Sequence, residues 1–215
     1  MAEEAQPFVD ALPERTGAQP PTLPGSAQAW SLQLPGGERE LILVRSGIGL
    51  VAAASALAAV LTQVRPGTVV SAGTTGGLGR QVQVGDVCAS ANLAYTDADA
   101  TAFGYVRGQT PGQPETFAGD PALLERLEQV GPEALRGATA SSGSARLHVG
   151  RMLAGNSFVT AANVTDTREV FPTALSTDME STALAQVAAS AGIPFVSVRG
   201  VSDLCGPEAG QDFHI

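Results

Sequence analysis

Cysteine is scarce, basic residues are outnumbered, and no apolar run is long enough to cross a bilayer. Only Cys88 and Cys205 occur in 215 residues. Far apart and without metal-type spacing, they read as inert thiols of a reducing compartment, neither a disulfide framework nor a metal site. Lys and Arg total 12 against 21 Asp and Glu, a formal charge of -9, which argues against a surface that tracks nucleic-acid phosphates. The longest apolar stretch, Leu50 to Leu61, is rich in Ala and broken by Ser55, so it reads as a buried helix. The first ten residues, MAEEAQPFVD, carry acids where a secretory leader would carry Lys or Arg, and no apolar region follows. His148 and His214 stand isolated and are expected to be structural, with no metal and no cofactor. What these absences leave is a soluble cytoplasmic protein whose partner is a small molecule, with no nucleic acid and no membrane involved.

What is present suffices for one sizeable core: 44% of the residues are hydrophobic, and nothing forces a second domain, so residues 1–215 are expected to form one. Glu3 to Leu12 reads as a helix with Pro7 in its first turn. Ala29 to Leu34 and Glu40 to Val44 flank Pro35, Gly36 and Gly37 as a hairpin. A small-residue helix from Leu50 to about Val64 ends at Pro66 and Gly67, and Thr68 to Ala72 is a buried strand emptying into the glycine run GTTGGLG, Gly73 to Gly79. VGDVCAS supplies the next strand. Thr96 to Phe117 is a long segment with three aromatics, Phe103, Tyr105 and Phe117, which a partner subunit would cover. Asp120 and Pro121 open a helix to about Val130, Gly137 to Leu147 and His148 to Ala154 are candidate strands, and Asn163 to Val170 is helix-like.

The stretch from Ser176 to Leu204 organises the rest. Met179, Ala183, Leu184, Val187, Ala188 and Ala191 recur at helical spacing, Gly192 and Pro194 stop the helix, and Pro194 to Val198 is a short buried strand. Asp178 and Glu180 then start a helix, and Ser202 and Asp203 lie just past the carboxyl end of a strand, where open α/β sheets collect ligands. Spacing alone serves helix caps and first-turn acids equally well.

The literal strings decide more. SGIG, SAGTTGGL, VGDV, DADATAFGY, GNSF, DMES and VRGVSDL, with MAEEA at the start, resemble the 5′-methylthioadenosine/S-adenosylhomocysteine nucleosidases of the purine nucleoside phosphorylase superfamily, over nearly the whole chain. The resemblance implies an α/β fold, a single-domain three-layer sandwich with a central mixed β-sheet flanked by helices, here without the family's first strand and last helix. It implies hydrolysis of the N-glycosidic bond of methylthioadenosine or adenosylhomocysteine. Asp203 would protonate adenine N7, burial near other carboxylates being what keeps such an acid protonated, with Ser202 orienting it and Arg199 supporting the same loop. Glu180 would bind the ribose hydroxyls and Met179 pack on the ring. Glu4 would activate the water, with Thr74 nearby. Phe158 would stack on adenine and the main chain of Val159 read its edge. Met1, Ile48 and, from a neighbouring subunit, Phe103 and Tyr105 would line the alkylthio pocket, which makes the protein a homodimer. Rival readings are a phosphate-dependent purine nucleoside phosphorylase, another adenine-releasing hydrolase such as futalosine hydrolase, and a non-catalytic nucleoside-binding protein.

Overall fold

A computed structural model describes residues 1–37, 39–138 and 142–206. Among the described residues five α-helices and eight strands follow one another. Helix α1 (Ala2–Ala11) leads to the antiparallel hairpin β1 (Gln28–Gln33) and β2 (Glu40–Arg45), then α2 (Leu50–Leu61), β3 (Val69–Gly77), β4 (Val87–Tyr95), the short β5 (Phe117–Ala118) and α3 (Pro121–Ala138). There follow β6 (Leu147–Ala154), α4 (Val164–Val170), β7 (Ala174–Asp178), α5 (Ser181–Ser190) and β8 (Phe195–Asp203). The central sheet is mixed, as expected, and its pairings run in a circuit. β4 bonds β6, β6 bonds β7, β7 bonds β3, β3 bonds β8, and β8 returns to β4, with β5 added beside β4.

The helices form where burial periodicity asks for them. In α2 the buried residues are Ala53, Ala56, Leu57 and Val60, a 3-4 spacing on one face, and α2 packs against α5. α3 starts as read: Asp120 Oδ1 accepts the Leu123 N–H at 3.0 Å, ahead of Pro121 at the first helical position. Cys88, Leu93, Met152 and Leu153 are fully buried on β4 and β6, at the centre of the core. Both thiols are buried, and burial pushes Cys88 up to about 11 and Cys205 up to about 12, so they stay protonated. No helix among the described residues is long and apolar enough to cross a membrane.

Several elements differ from their sequence reading. α1 begins at Ala2, which puts Pro7 in the second turn, on an exposed position where the carbonyl left without a helical donor can meet water. Gly73 to Gly77 is not a loop after β3 but its second half, paired with β8 through Gly76 and with β7 at Gly76 and Gly77. Pairing on two sides overrides the low strand propensity of glycine. Asp178 ends strand β7 rather than opening a helix, and β8 runs on through Ser202 and Asp203. α3 continues through Gly131 and Pro132 to Ala138, so no strand starts at Gly137; residues 142–144 are a turn of 3-10 helix, and 139–141 lie outside the described residues, as does His214. His148 is structural, its Nε2 lying 2.7 Å from Asp86 Oδ2 between β6 and the start of β4.

Leu93→Ala should cost about 2–5 kcal/mol, since the cavity it opens is closed on all sides by core atoms. Urea denaturation monitored by circular dichroism checks it, with an unchanged midpoint excluding Leu93 from the core.

Candidate active site

The site is built where β7, β3 and β8 lie side by side. β7 and α5 are joined by a two-residue turn, and Asp178 Oδ1 accepts the N–H groups of Glu180 at 2.8 Å and Ser181 at 2.7 Å. The N-cap of α5 is Glu180, not Asp178, yet Asp178 satisfies two N–H groups at the helix start from the end of the strand. The other Asp178 oxygen faces Arg199 Nε at 3.4 Å. Arg199, on β8, is 5% exposed. Its Nη1 donates to Glu180 Oε2 at 3.1 Å and to the Thr74 carbonyl at 3.0 Å, and its Nη2 donates to Ser71 Oγ at 2.9 Å. Burial alone would favour the neutral guanidine, but Asp178, Glu180 and Glu4 outweigh it and hold the group above arginine's usual value.

Glu4 reaches this cluster from the first turn of α1. Its Oε1 accepts the Thr74 N–H at 2.7 Å and the Thr74 hydroxyl at 2.9 Å, and its Oε2 pairs with the Met1 ammonium. Burial pushes the carboxyl up, and these partners together pull it below the usual glutamate value. Glu180 goes the other way. Burial raises it, helped by Asp178 and Glu4 and opposed by Arg199 and by the Gly49 N–H, which donates to Oε1 at 2.9 Å from the start of α2. Two glutamates on one guanidinium are therefore poised apart, Glu4 ionised and Glu180 the readier to take a proton.

Asp203 closes the opposite side. It is 6% exposed; Oδ2 accepts from Ser202 Oγ at 3.0 Å and Oδ1 from the Cys205 N–H at 2.8 Å. Among the described residues no ion pair reaches it. Glycines of β3 make room for both ends. A Cβ on Gly73 would stand 2.6 Å from Glu4 Oε1, and one on Gly76 would stand 2.5 Å from Cys205 Sγ and 3.4 Å from Asp203 Oδ1.

One cavity of about 1470 Å³ contains all of these groups. Met1, Glu4, Ile48, Thr74, Phe158, Val159, Met179, Glu180, Arg199, Ser202 and Asp203 line it, so eleven of the residues singled out from the sequence converge on one space. Phe103 and Tyr105 do not. Phe103 stands 82% exposed on a short 3-10 turn, and neither aromatic lines the cavity of its own chain. Asp178, placed beside Glu180 at a helix start from the sequence, was given no role of its own. Two contributors were missed: Gly49 offers nothing but its N–H, and Ser71 is one serine among many; period two from Gly73 on β3 could have found the latter.

The family model described as the phosphorylase superfamily matches residues 1–214. A 5′-methylthioadenosine/S-adenosylhomocysteine nucleosidase from Actinobacillus succinogenes is 33% identical over 99% of this chain and 86% of its own. The chain belongs to this nucleosidase family. The crystal structure of the nucleosidase from Neisseria meningitidis, in complex with methylthio-immucillin-A, is 31% identical and superposes with a TM-score of 0.87, covering 99% of this chain and 87% of that one. The nucleosidase from Colwellia psychrerythraea, in complex with adenine, gives 31% identity and 0.87 over 99% and 83%. The mixed sheet with flanking helices is thus the nucleosidase fold.

In this nucleosidase, Gly73→Ala should strain the backbone, because Gly73 holds a φ of +156°, and its methyl should drive the Glu4 carboxylate away from Thr74. Having lost those hydrogen bonds, Glu4 should titrate higher than in the unsubstituted chain, which carboxyl carbon NMR measures; an unmoved Glu4 signal would contradict this geometry.

Proposed function

We propose that this site hydrolyses the N-glycosidic bond of 5′-methylthioadenosine or S-adenosylhomocysteine, releasing adenine and a thioribose, as a cytoplasmic step of methionine salvage. The observation that carries the reading is the charge pattern. Asp178 and Glu180 pair with one buried guanidinium, and Glu4 and Asp203 add two carboxyl groups to the same cavity, which suits a cationic, oxocarbenium-like ribose. Asp203 protonates adenine N7 as the bond stretches, and the Ser202 hydroxyl and Cys205 N–H keep its two oxygens oriented. Glu180 takes the ribose hydroxyls, fixed by Arg199 and Gly49, with Met179 against the sugar. Glu4, ionised and aimed by Thr74, receives a proton from the water that attacks the anomeric carbon.

Phe158, 40% exposed at the cavity rim, stacks on the base, and the main chain of Val159 reads its edge. Met1 and Ile48 line the alkylthio end. Phe103 and Tyr105 complete that end from a partner subunit, which makes the working unit a homodimer; the exposure of Phe103 supports this. The phosphorylase alternative fares worse, since a phosphate at the anomeric carbon would face the Glu4 carboxylate.

The cavity exceeds the roughly 300–1,000 Å³ usual for small-ligand sites. Its surplus lies between β2 and β3, where Leu41 to Arg45 and Val69 to Thr74 line it. Among the described residues β2 pairs only with β1, and Val69 to Thr75 of β3 pair only with β8.

Adenine release from methylthioadenosine, with and without phosphate, tests the reaction. Turnover should be independent of phosphate, and phosphate-dependent turnover would replace the hydrolase with a phosphorylase. Asp203→Asn and Glu4→Gln should each lower kcat about 10²- to 10⁴-fold with folding intact, the range for removing one positioned acid or base. Because Glu180 must be ionised and sits above the usual glutamate value, kcat/KM should decline on the acid side through a midpoint above that value; a limb at or below it would separate Glu180 from catalysis.

A further inference from the structure

Beneath the acidic cluster lies a row of hydroxyls that the reaction above does not touch. Ser71 and Ser197 are register partners on the parallel strands β3 and β8, and Gly73 and Arg199 are partners two residues further on. By the two-residue period of strands, all four positions share one face of the sheet. Ser181, the first residue of α5, sits over this face, its Oγ 3.2 Å from Ser71 Oγ and 2.8 Å from Ser197 Oγ. Ser71 is 3% exposed, and Ser181 and Ser197 are fully buried.

Arginine has donors only, so Ser71 Oγ accepts from Nη2. The row continues through Ser181 to Ser197 by hydroxyl–hydroxyl hydrogen bonds in which either oxygen can donate. We propose that Ser71, backed by Ser181 and Ser197, is a positioning residue that fixes the plane of the Arg199 guanidinium, and so holds Nη1 between the Thr74 carbonyl and Glu180. This rests on the hydrolase reading for its consequence in turnover, but not for its geometry.

The guanidinium has three corners, two of them hydrogen-bonded and the third, Nε, facing an opposite charge without a hydrogen bond. Nε faces Asp178, Nη1 bridges Thr74 and Glu180, and Nη2 has Ser71. Without the hydroxyl, Nη2 is a buried charged donor without an acceptor, which favours rotation of the plane toward other oxygens. Glu180 would register the change. It is faced by Arg199 from β8, Asp178 from β7, Glu4 from α1 and the Gly49 N–H ahead of α2, and Arg199 is the cation among them. Weakening that contact leaves burial and two carboxylates acting against ionisation.

The test compares the full-length chain with Ser71→Ala and Ser71→Thr, using carboxyl carbon NMR to follow the titration of Glu180, its signal assigned by its loss in Glu180→Gln. The Glu180 midpoint should rise in Ser71→Ala and return in Ser71→Thr, which restores the acceptor. With methylthioadenosine, kcat/KM of Ser71→Ala should fall roughly tenfold at the acid end, the loss expected when a charged group gives up one hydrogen-bond partner. At the alkaline end it should approach that of the unsubstituted chain. An unmoved midpoint in folded Ser71→Ala, or a rise that Ser71→Thr does not reverse, overturns the proposal. Should Ser71→Ala fail to fold, Ser181→Ala takes its place with the same expected direction, and an unmoved midpoint there overturns it equally. Absence of turnover in the unsubstituted chain would defeat the hydrolase reading alone, leaving the Glu180 midpoint to decide this one.

Discussion

A single guanidinium, 5% exposed, holds this site together. Arg199 stands among Asp178, Glu180 and Glu4, and its donors reach β7, the turn into α5, the main chain of β3 and a serine on the same strand. Burying such a charge is costly unless every donor finds an acceptor. That requirement ties β8 to two distant segments, because the partners of Arg199 come from residues 71–74 of β3 and 178–180 at the end of β7. Lysine, with one nitrogen, could not meet three directions at once. The remaining negative charge belongs to the cavity, where a cationic sugar would be stabilised.

The two glutamates show how neighbouring carboxyls in one pocket acquire different characters. Both are partly buried and both are near Arg199. Glu4 receives hydrogen bonds from Thr74 and from an ammonium, and is held low. Glu180 has burial and two like charges against it, and is held high. Environment, not residue type, makes one a standing base and the other a group sensitive to its cation.

Much of this was legible in the sequence because the site is carried on literal strings at the ends of strands. DMES and VRGVSDL supplied Met179, Glu180, Arg199, Ser202 and Asp203, and MAEEA supplied Glu4, all of which line one cavity. The errors were physical in origin. Periodicity read DMES as the opening of a helix because a five-residue strand and a two-residue turn leave no room for a pattern of their own. Glycines after Ala72 read as a loop because strand propensity is a property of packing, and the packing comes from β8 and β7, more than a hundred residues away. α3 overran its expected end because Pro132 is exposed and Gly131, with no side chain, lets the helix approach Leu147 of β6. Ser71 gave no signal, since its partners are two other serines and an arginine from distant segments.

The circuit of pairings has a mechanical meaning. An open sheet can splay at its margins, whereas in a hoop of β4, β6, β7, β3 and β8 each stave bonds two neighbours over part of its length, β3 reaching β7 at Gly76 and Gly77. The three staves that bear the acidic groups and their glycine relief, β7, β3 and β8, are consecutive in that hoop, so the spacing across the catalytic space is set by backbone separation of about 4.8 Å per step rather than by loop conformation. Loops around the rim can then vary in length and composition from one family member to the next while the gauge of the reaction chamber stays the same.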